Sequence, residues 1–114
     1  MARHYLLAFT NPVPGREAEF NRWYDERHMP DLLAVPGFVS AQRFALTDAT
    51  GQGKPGWTSL ALYEIETDDP DGLMAEVRSR LGTEIMPVSD ALDAATPAGV
   101  IATAITARLA AKTP

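Results

Sequence analysis

The sequence predicts an α+β domain in which four strands and two helices follow one another in the order β-α-β-β-α-β. Several segments rich in aliphatic and aromatic residues are bounded by proline and glycine, which is typical of strands. Two other segments repeat apolar residues three and four positions apart, the spacing of one helix face. The chain has 114 residues, the usual size of one domain, so we treat residues 1–114 as a single unit.

The first half of the chain predicts a strand followed by a helix. Residues 4–9 are aromatic and aliphatic, and the two prolines of residues 11–15 (NPVPG) end this strand. Residues 16–27 form a helix with one apolar stripe, which consists of Phe20, Trp23 and Tyr24. Pro30 disfavours helical backbone at the residue before it. We therefore expect this helix to end near His28 and a short turn over residues 30–34 to follow.

The second half predicts three more strands and a second helix. Residues 38–46 form the second strand, with one face made of Phe38, Ser40, Gln42, Phe44 and Leu46. Residues 57–66 form a central strand that is apolar on both faces. The run Thr67-Asp68-Asp69-Pro70 starts a helix that ends at Gly82. A short helix is expected from near Ser89, and a strand in the first half of residues 100–109, although the alanines there also suit a helix.

This order of elements matches the ferredoxin-like fold, a four-stranded antiparallel sheet with both helices on one face. The other face of the sheet is left bare and largely apolar, and an exposed patch of that size is usually an interface. Two such sheets packed face to face form a barrel. We therefore expect a homodimer with twofold symmetry that pairs through the sheet face, which is a dimeric α+β barrel.

Composition and charge exclude several classes of protein. The net charge is −5 and lysine and arginine are not clustered, so neither nucleic acid nor an anionic membrane is an expected partner. The sequence has no cysteine, which excludes disulfides and thiolate chemistry and suits the cytoplasm. It shows no signal peptide and no apolar run long enough to span a membrane. Metal-ligand spacings, phosphate loops and dinucleotide motifs are also missing, so we expect neither a metal nor a cofactor.

Residues 23–38, WYDERHMPDLLAVPGF, together with the upstream run FTNPVPGREAEFN, resemble the EthD-like branch of the dimeric α+β barrel superfamily. In that branch a W-Y-x-x-x-H-x-P-x-x-x-x-x-P-G-F pattern closes the first helix and leads into the second strand. The superfamily includes polyketide cyclases, monooxygenases, lactone isomerases, dehydratases and haem degraders. The resemblance therefore implies a fold, a dimer and a pocket, and it does not name a reaction.

His28 is the strongest candidate for a catalytic residue. At the end of a helix the helix dipole favours a cation, which would raise the tendency of His28 to protonate. It would then act as a general acid or base, with Asp25 orienting its ring and Tyr24 donating a hydrogen bond. The alternatives are that His28 caps helix carbonyls and that Tyr24 is a core aromatic residue. In the EthD-like pattern the matching histidine lies at the pocket, which favours the catalytic role.

Five further residues are candidates for binding a substrate: His4, Trp23, Arg43, Trp57 and Tyr63. His4 shares a strand face with apolar residues and approaches the pocket if that face meets the helices; otherwise it belongs to a frayed strand end. Arg43 either binds an anionic group of the ligand or pairs with Glu64 on the neighbouring strand, and we favour the ion pair. The aromatic residues either line the ligand site or belong to the core.

The function we expect is cofactor-independent acid–base catalysis, by cyclisation, isomerisation or dehydration, on an aromatic or polyketide-like carbonyl compound. One alternative is a cofactor-free monooxygenase, and another is a binding or accessory protein that holds a small hydrophobic metabolite without turnover. A dimer with a filled core and no ligand is the structural alternative. A cavity of about 300 Å³ or more, lined by His28 and Tyr24, would favour a ligand site over a filled core.

Overall fold

Four strands form one antiparallel sheet: β1 (Arg3–Thr10), β2 (Phe38–Ala45), β3 (Ser59–Glu66) and β4 (Ala98–Ala102). Their order across the sheet is β2-β3-β1-β4, which confirms the predicted ferredoxin-like arrangement. The structure is a computed structural model that describes residues 2–112. The predicted unit over residues 1–114 includes three residues that lie outside the described residues: Met1, Thr113 and Pro114.

Three helical segments cover one face of this sheet: α1 (Glu17–Trp23), α2 (Met29–Leu33) and α3 (Pro70–Arg80). Alternate residues of β3 are buried on that face, and they form one core with apolar side chains of all three helices. The helix side of this core contains Phe20, Leu32, Leu73 and Val77. None of the helices within residues 2–112 is both long enough and apolar enough to cross a membrane.

Helix α3 confirms the predicted helix start and end. The Asp69 side chain accepts a hydrogen bond of 3.0 Å from the backbone N–H of Gly72, so it caps the first turn. Gly82 follows the helix with a φ of 83°, a left-handed conformation that glycine adopts without steric cost.

The helix that contains His28 does not end there, so the prediction from Pro30 was wrong. Residues Tyr24–His28 form one π-helical turn between α1 and α2, and the N–H of Met29 bonds to the carbonyl of Tyr24. Both His28 and Met29 keep helical backbone angles. Pro30 then lies in the first turn of α2, where a backbone N–H needs no helical partner. The chain therefore stays helical through the proline.

A β-bulge in β2 changes which face Phe38 occupies. Phe38 and Ser40 lie opposite consecutive residues of β3, so Val39 is one extra residue in the pairing. Phe38 faces the helices and contacts Tyr63 edge to face, with ring centroids 5.7 Å apart. The prediction that Phe38 shares a face with Ser40 was wrong, because strict alternation cannot reveal an inserted residue.

The short helix expected from Ser89 does not form. Backbone groups in this segment instead pair with the chain that follows β1: the Val13 N–H donates to the Ala91 carbonyl (2.7 Å) and the Asp93 N–H to the Asn11 carbonyl (2.9 Å). The Ser89 hydroxyl accepts a bond from the Ala91 N–H and so closes a local turn. Long-range pairing therefore overrides the local helix signal. The strand expected after it is confirmed as β4.

The sheet face opposite the helices is open in the single chain. We call it the open face, and it is formed by the alternate residues of each strand that point away from the helices. Its apolar side chains are half-buried or exposed: Tyr5, Leu7, Phe9, Phe44, Leu60, Leu62 and Val100. The prediction of a largely apolar bare face is confirmed.

Candidate functional site

Five polar side chains converge between the helical segment 17–33 and the sheet, and we call them the polar cluster. Its members are Thr10, Tyr24, His28, Arg43 and Tyr63. Four of the five have a buried polar atom with no hydrogen-bond partner among the described residues: Thr10 Oγ1, His28 Nδ1, Arg43 Nε and Tyr63 OH. A buried polar atom left unpaired costs about 1–3 kcal/mol, so such a concentration is unusual in a folded core.

The His28 ring is held by aromatic contacts rather than by hydrogen bonds. It stacks on Trp23 with ring centroids 4.6 Å apart and meets Tyr24 edge to face at 5.1 Å. Burial lowers the pKa of His28 to about 4, an effect that the charge of Asp31 opposes. The ring is therefore neutral at pH 7. The expectation of a raised tendency to protonate was wrong, because the helix continues past His28 and burial dominates. Capping of helix carbonyls is also not observed.

Two tyrosines supply hydroxyl groups to the cluster. Burial raises the pKa of both Tyr24 and Tyr63, so both phenols keep their protons at neutral pH. The hydroxyls of Tyr63 and Thr10, and then the charge of Arg43, partly oppose this effect at Tyr24. The three hydroxyls are thus close enough to influence one another, yet those of Thr10 and Tyr63 make no hydrogen bond of normal geometry.

The guanidinium group of Arg43 lies over the Tyr24 ring, 4.5 Å from its centroid. One terminal nitrogen bonds to the Asp25 carboxylate at 2.8 Å. The other bonds to the Asn21 side chain at 2.9 Å and to the Ser59 hydroxyl at 3.2 Å. Arg43 therefore joins α1 and the π turn to the sheet and fixes a positive charge beside the Tyr24 ring.

Two predicted side-chain pairs do not form, because in each case one side chain points elsewhere. Arg43 does not pair with Glu64, because the two residues point to opposite faces of the sheet; Glu64 instead pairs with Arg3 at 2.6 Å. Asp25 does not orient the His28 ring, because its carboxylate points towards Arg43.

An apolar cavity of about 190 Å³ lies beside His28. Thr10 is the other polar cluster member in its wall, and most of the remaining lining is apolar: Leu6, Ala8, Leu32, Met74, Val77 and Leu81. Tyr24 does not line it, so the expected single cavity with both residues is not what the structure contains. A second cavity of about 340 Å³ is lined by Arg43, Asn21, Ser59 and Phe20. Tyr24 contacts one lining residue of each cavity, His28 and Arg43.

The other predicted residues divide into those at the site and those away from it. Trp23 is at the site: it stacks on His28, and its indole N–H donates to the Pro87 carbonyl at 3.0 Å. His4 lies on the helix-facing side of β1, but its Nδ1 is 2.6 Å from Thr103 Oγ1 and it does not line the cavity beside His28. Trp57 precedes β3, and its indole N–H bonds to the Thr96 carbonyl at 2.6 Å, away from the polar cluster.

Sequence reasoning missed the small polar members of the site, Thr10, Asn21 and Ser59. Such residues are common in strand ends and helices, so their type carries no signal. Their positions do carry one, because Thr10 continues the alternate face of His4 and Leu6 into the core. Within residues 2–112, no three His, Asp or Glu side chains are grouped so that they could hold a metal ion.

Comparison with known proteins then identifies the fold. No family model and no curated protein matches the sequence. A proposed monooxygenase from Shewanella loihica has a TM-score of 0.60 at 18% identity, over 92% of this chain and 96% of that one. An EthD-like protein from Ralstonia eutropha has a TM-score of 0.58 at 15% identity, over 95% and 97% of the chains. The chain shares the ferredoxin-like fold of these proteins. An EthD family protein from Bacillus halodurans agrees, with a TM-score of 0.53 at 12% identity over 90% and 99% of the chains.

The EthD-like sequence pattern and the polar cluster coincide in space. Trp23, Tyr24 and His28, three of its fixed positions, contact one another ring to ring. Pro30, a fourth, follows the π turn that sets the orientation of His28. The resemblance found in the sequence is thus confirmed at the level of the fold, and two of its fixed positions, Tyr24 and His28, belong to the polar cluster.

Proposed function

We propose that this protein binds a small aromatic or otherwise apolar carbonyl compound beside His28 and transforms it by acid–base chemistry without a cofactor. One observation carries the proposal: Thr10 and His28, whose buried Oγ1 and Nδ1 atoms lack partners among the described residues, line an apolar cavity. Groups of this kind reduce stability unless something else binds them. A ligand with a carbonyl or phenol oxygen is the chemistry that would complete their hydrogen bonds.

The protonation states suit proton transfer from an acidic carbon or phenol. His28 is neutral and therefore able to accept the proton, and the negative charge that develops on the substrate would raise its pKa during the reaction. Tyr24 and Tyr63 keep their protons but do not line this cavity, so they can donate hydrogen bonds to the developing enolate or phenolate oxygen only of a ligand that extends past His28 into the polar cluster. Return of the proton to another atom gives isomerisation. Attack by the enolate carbon on a second carbonyl of the substrate gives cyclisation, and the alkoxide formed from that carbonyl takes the proton from His28.

The size of the cavity limits the substrate. At about 190 Å³ it is smaller than the ~300–1,000 Å³ of a usual ligand site. A compound of about one aromatic ring suits this volume, and a longer one needs movement of Tyr24 towards the second cavity. The apolar lining lowers the polarity around the reacting atoms, which strengthens their electrostatic interactions.

We also propose that the protein acts as a homodimer that pairs through the open face, in the reducing environment of the cytoplasm that a cysteine-free chain suits. The open face carries seven large apolar side chains, of which Phe44 is 39% and Val100 50% exposed. A patch of this kind on a four-stranded sheet is self-complementary under twofold rotation, so a second copy can bury it.

A cofactor-free monooxygenase is the second candidate. The observation in its favour is the likeness to the proposed Shewanella loihica monooxygenase. Such an enzyme would use the same neutral His28 to form a substrate anion, which then reacts with molecular oxygen. The two candidates share their first step and differ in whether oxygen is consumed, while a binding protein would take up the ligand with no turnover.

The test is proton exchange on a panel of single-ring phenols and 1,3-dicarbonyl compounds in D₂O, followed by NMR, with oxygen uptake recorded in parallel. His28→Ala should lower catalysed exchange by at least about 100-fold, the usual contribution of a general base. His4→Asn is the matched control, because His4 is the other histidine and lies off the cavity. Equal exchange in wild type and His28→Ala would refute the catalytic role, and tight binding without exchange would support the binding protein.

A further inference from the structure

The segment after β4 has no partner within its own chain. We call residues 103–112 the arm. Ile105 and Leu109 are 96% and 90% exposed, which is far more than any other large apolar side chain. Among residues 2–112, the backbone of the arm makes no hydrogen bond, and its one recorded side-chain bond joins Thr103 to His4. The arm is thus fixed at its start and unpaired along its length.

The sequence of the arm has the pattern of a β-strand with one buried face. Apolar residues occupy the odd positions from 105 to 111 (Ile, Ala, Leu, Ala). The even positions hold Thr106, Arg108 and Lys112 together with the small residues Ala104 and Ala110. A strand needs a neighbouring strand for its backbone groups. The pattern therefore points to a pairing that the single chain does not make.

The charge of the arm is opposite to that of the rest of the protein. All fifteen acidic residues lie at or before Asp93, whereas Arg108 and Lys112 are the charged residues of the arm. The net charge of the whole chain is −5, so the arm is a basic strand on an acidic protein. This complementarity favours the surface of a second copy of the same chain as the partner.

An unprotected sheet edge is available on that second copy. Strand β2 has β3 on one side and no strand among residues 2–112 on the other. Beyond the bulge at Val39, residues 40–45 include neither proline nor lysine, so this stretch of the edge is regular. Free edges without such protection are the usual sites at which another strand adds. The other edge strand, β4, has five residues and follows Pro97, so it is a poorer template.

We propose that in the dimer the arm of each copy adds as a fifth strand to the β2 edge of its partner. Ten extended residues span about 33 Å, whereas a four-stranded sheet is about 15–19 Å wide. The arm is therefore long enough to cross from its own β4 to either edge of a partner sheet. This inference rests on the proposed homodimer and adds a reciprocal exchange of strands to it.

Cysteine crosslinking tests the exchange in the full-length protein, because the natural chain has no cysteine. One tagged version carries Leu109→Cys and an untagged version carries Gln42→Cys; both positions are exposed, so neither change disturbs the core. The two are unfolded together, refolded and oxidised. We expect a disulfide between tagged and untagged chains on a non-reducing gel. The control replaces Gln42→Cys by Ile85→Cys, which is exposed and lies outside the sheet, and should give none.

Dimer affinity gives the second measurement. Ile105→Ser with Leu109→Ser should weaken the dimer by at least about tenfold, since each change removes a large apolar side chain from the proposed pairing. Thr106→Ser with Ala110→Ser is the matched pair on the other side of the arm and should leave the affinity within about threefold. A stable dimer with neither the crosslink nor the loss of affinity would overturn the exchange but keep the homodimer. A monomeric wild-type protein would overturn both.

Discussion

His28 shows how burial decides the behaviour of one residue. Its ring lies between Trp23 and Tyr24, and this environment lowers its pKa to about 4, although the charge of Asp31 opposes the shift. A neutral imidazole with an unpaired Nδ1 is of little use to the folded state alone. The acid–base role proposed for it would account for its presence, and the same burial has a consequence for stability.

Stability should fall on acidification because of His28. The pKa is about 4 in the folded protein and near 6.5 in the unfolded chain, so between these values the unfolded state binds more protons. The free energy of unfolding should therefore drop as the pH falls from 6.5 towards 4, by on the order of 3 kcal/mol. Urea unfolding of wild type and His28→Gln at pH 7 and at about pH 4.5 measures this. Identical pH dependence in the two proteins would contradict the buried neutral histidine.

Tyr63 carries a buried hydroxyl that makes no hydrogen bond of normal geometry among the described residues. Removing an unpaired buried hydroxyl costs no hydrogen bond, so Tyr63→Phe should leave the free energy of unfolding unchanged or slightly higher. Ligand affinity should nevertheless fall by about tenfold if the hydroxyl donates to the ligand, which corresponds to one hydrogen bond of ~1.4 kcal/mol. Thermal unfolding measures the stability of the variant, and isothermal titration calorimetry measures its affinity for the ligand. Tyr5→Phe, on the open face, is the control and should change neither.

At the scale of an element, the π turn over Tyr24–His28 is what assembles the site. A π turn adds one residue to a helical turn and rotates every later side chain with respect to the earlier ones. It brings Trp23, Tyr24 and His28 into mutual ring contact while α2 continues in the same helix. Asp25, on the outward side, then meets Arg43 of the sheet. The π turn thus places Tyr24 and His28 on the inward side of the helix and Asp25, with its ion pair to Arg43, on the outward side.

Pro30→Ala should disturb the site more than the fold. Alanine restores an N–H that can bond to the carbonyl four residues earlier, which favours an ordinary α-helical turn in place of the π turn. We expect the free energy of unfolding to change by less than about 1 kcal/mol and ligand affinity to fall by about tenfold. Pro70→Ala is the matched control, because Pro70 also lies in the first turn of a helix but is remote from the cluster. Equal ligand affinity in wild type and Pro30→Ala would show that the π turn does not depend on the proline.

At the scale of the whole molecule, one side of the sheet forms the core and the other side remains open. The buried residues of β3 alternate with half-buried ones, so the core is confined to the helix side. A domain of this size buries about two-thirds of the surface of its unfolded chain, which leaves its stability modest. Covering the open face with a second copy would add apolar burial that the single chain cannot provide.

Leu62→Arg should convert the proposed dimer into a monomer. Leu62 lies in the middle of the open face on a central strand, where a charge would be buried without a partner in the dimer. Ile85→Arg is the control, because Ile85 is 60% exposed and lies outside the sheet. Light scattering after size-exclusion chromatography gives the mass of each variant. A Leu62→Arg protein that remains dimeric would place the interface elsewhere.

The sequence by itself determined the order of the elements, the open sheet face and the segment that holds the site. These follow from periodicity, from proline and glycine and from the pattern over residues 23–38, all of which are local properties of the chain. They suffice to name His28 and Tyr24 as candidates and to reveal the EthD-like resemblance.

Only the tertiary structure decided the partners, the register and the protonation state. Arg43 meets Asp25 rather than Glu64, Phe38 turns to the core at a bulge, and the helix passes Pro30 through a π turn. Each depends on groups distant in sequence or on a single inserted residue, which periodicity does not record. The same holds for His28, because its pKa is set mainly by burial, and burial exists only once the sheet and the helices have packed.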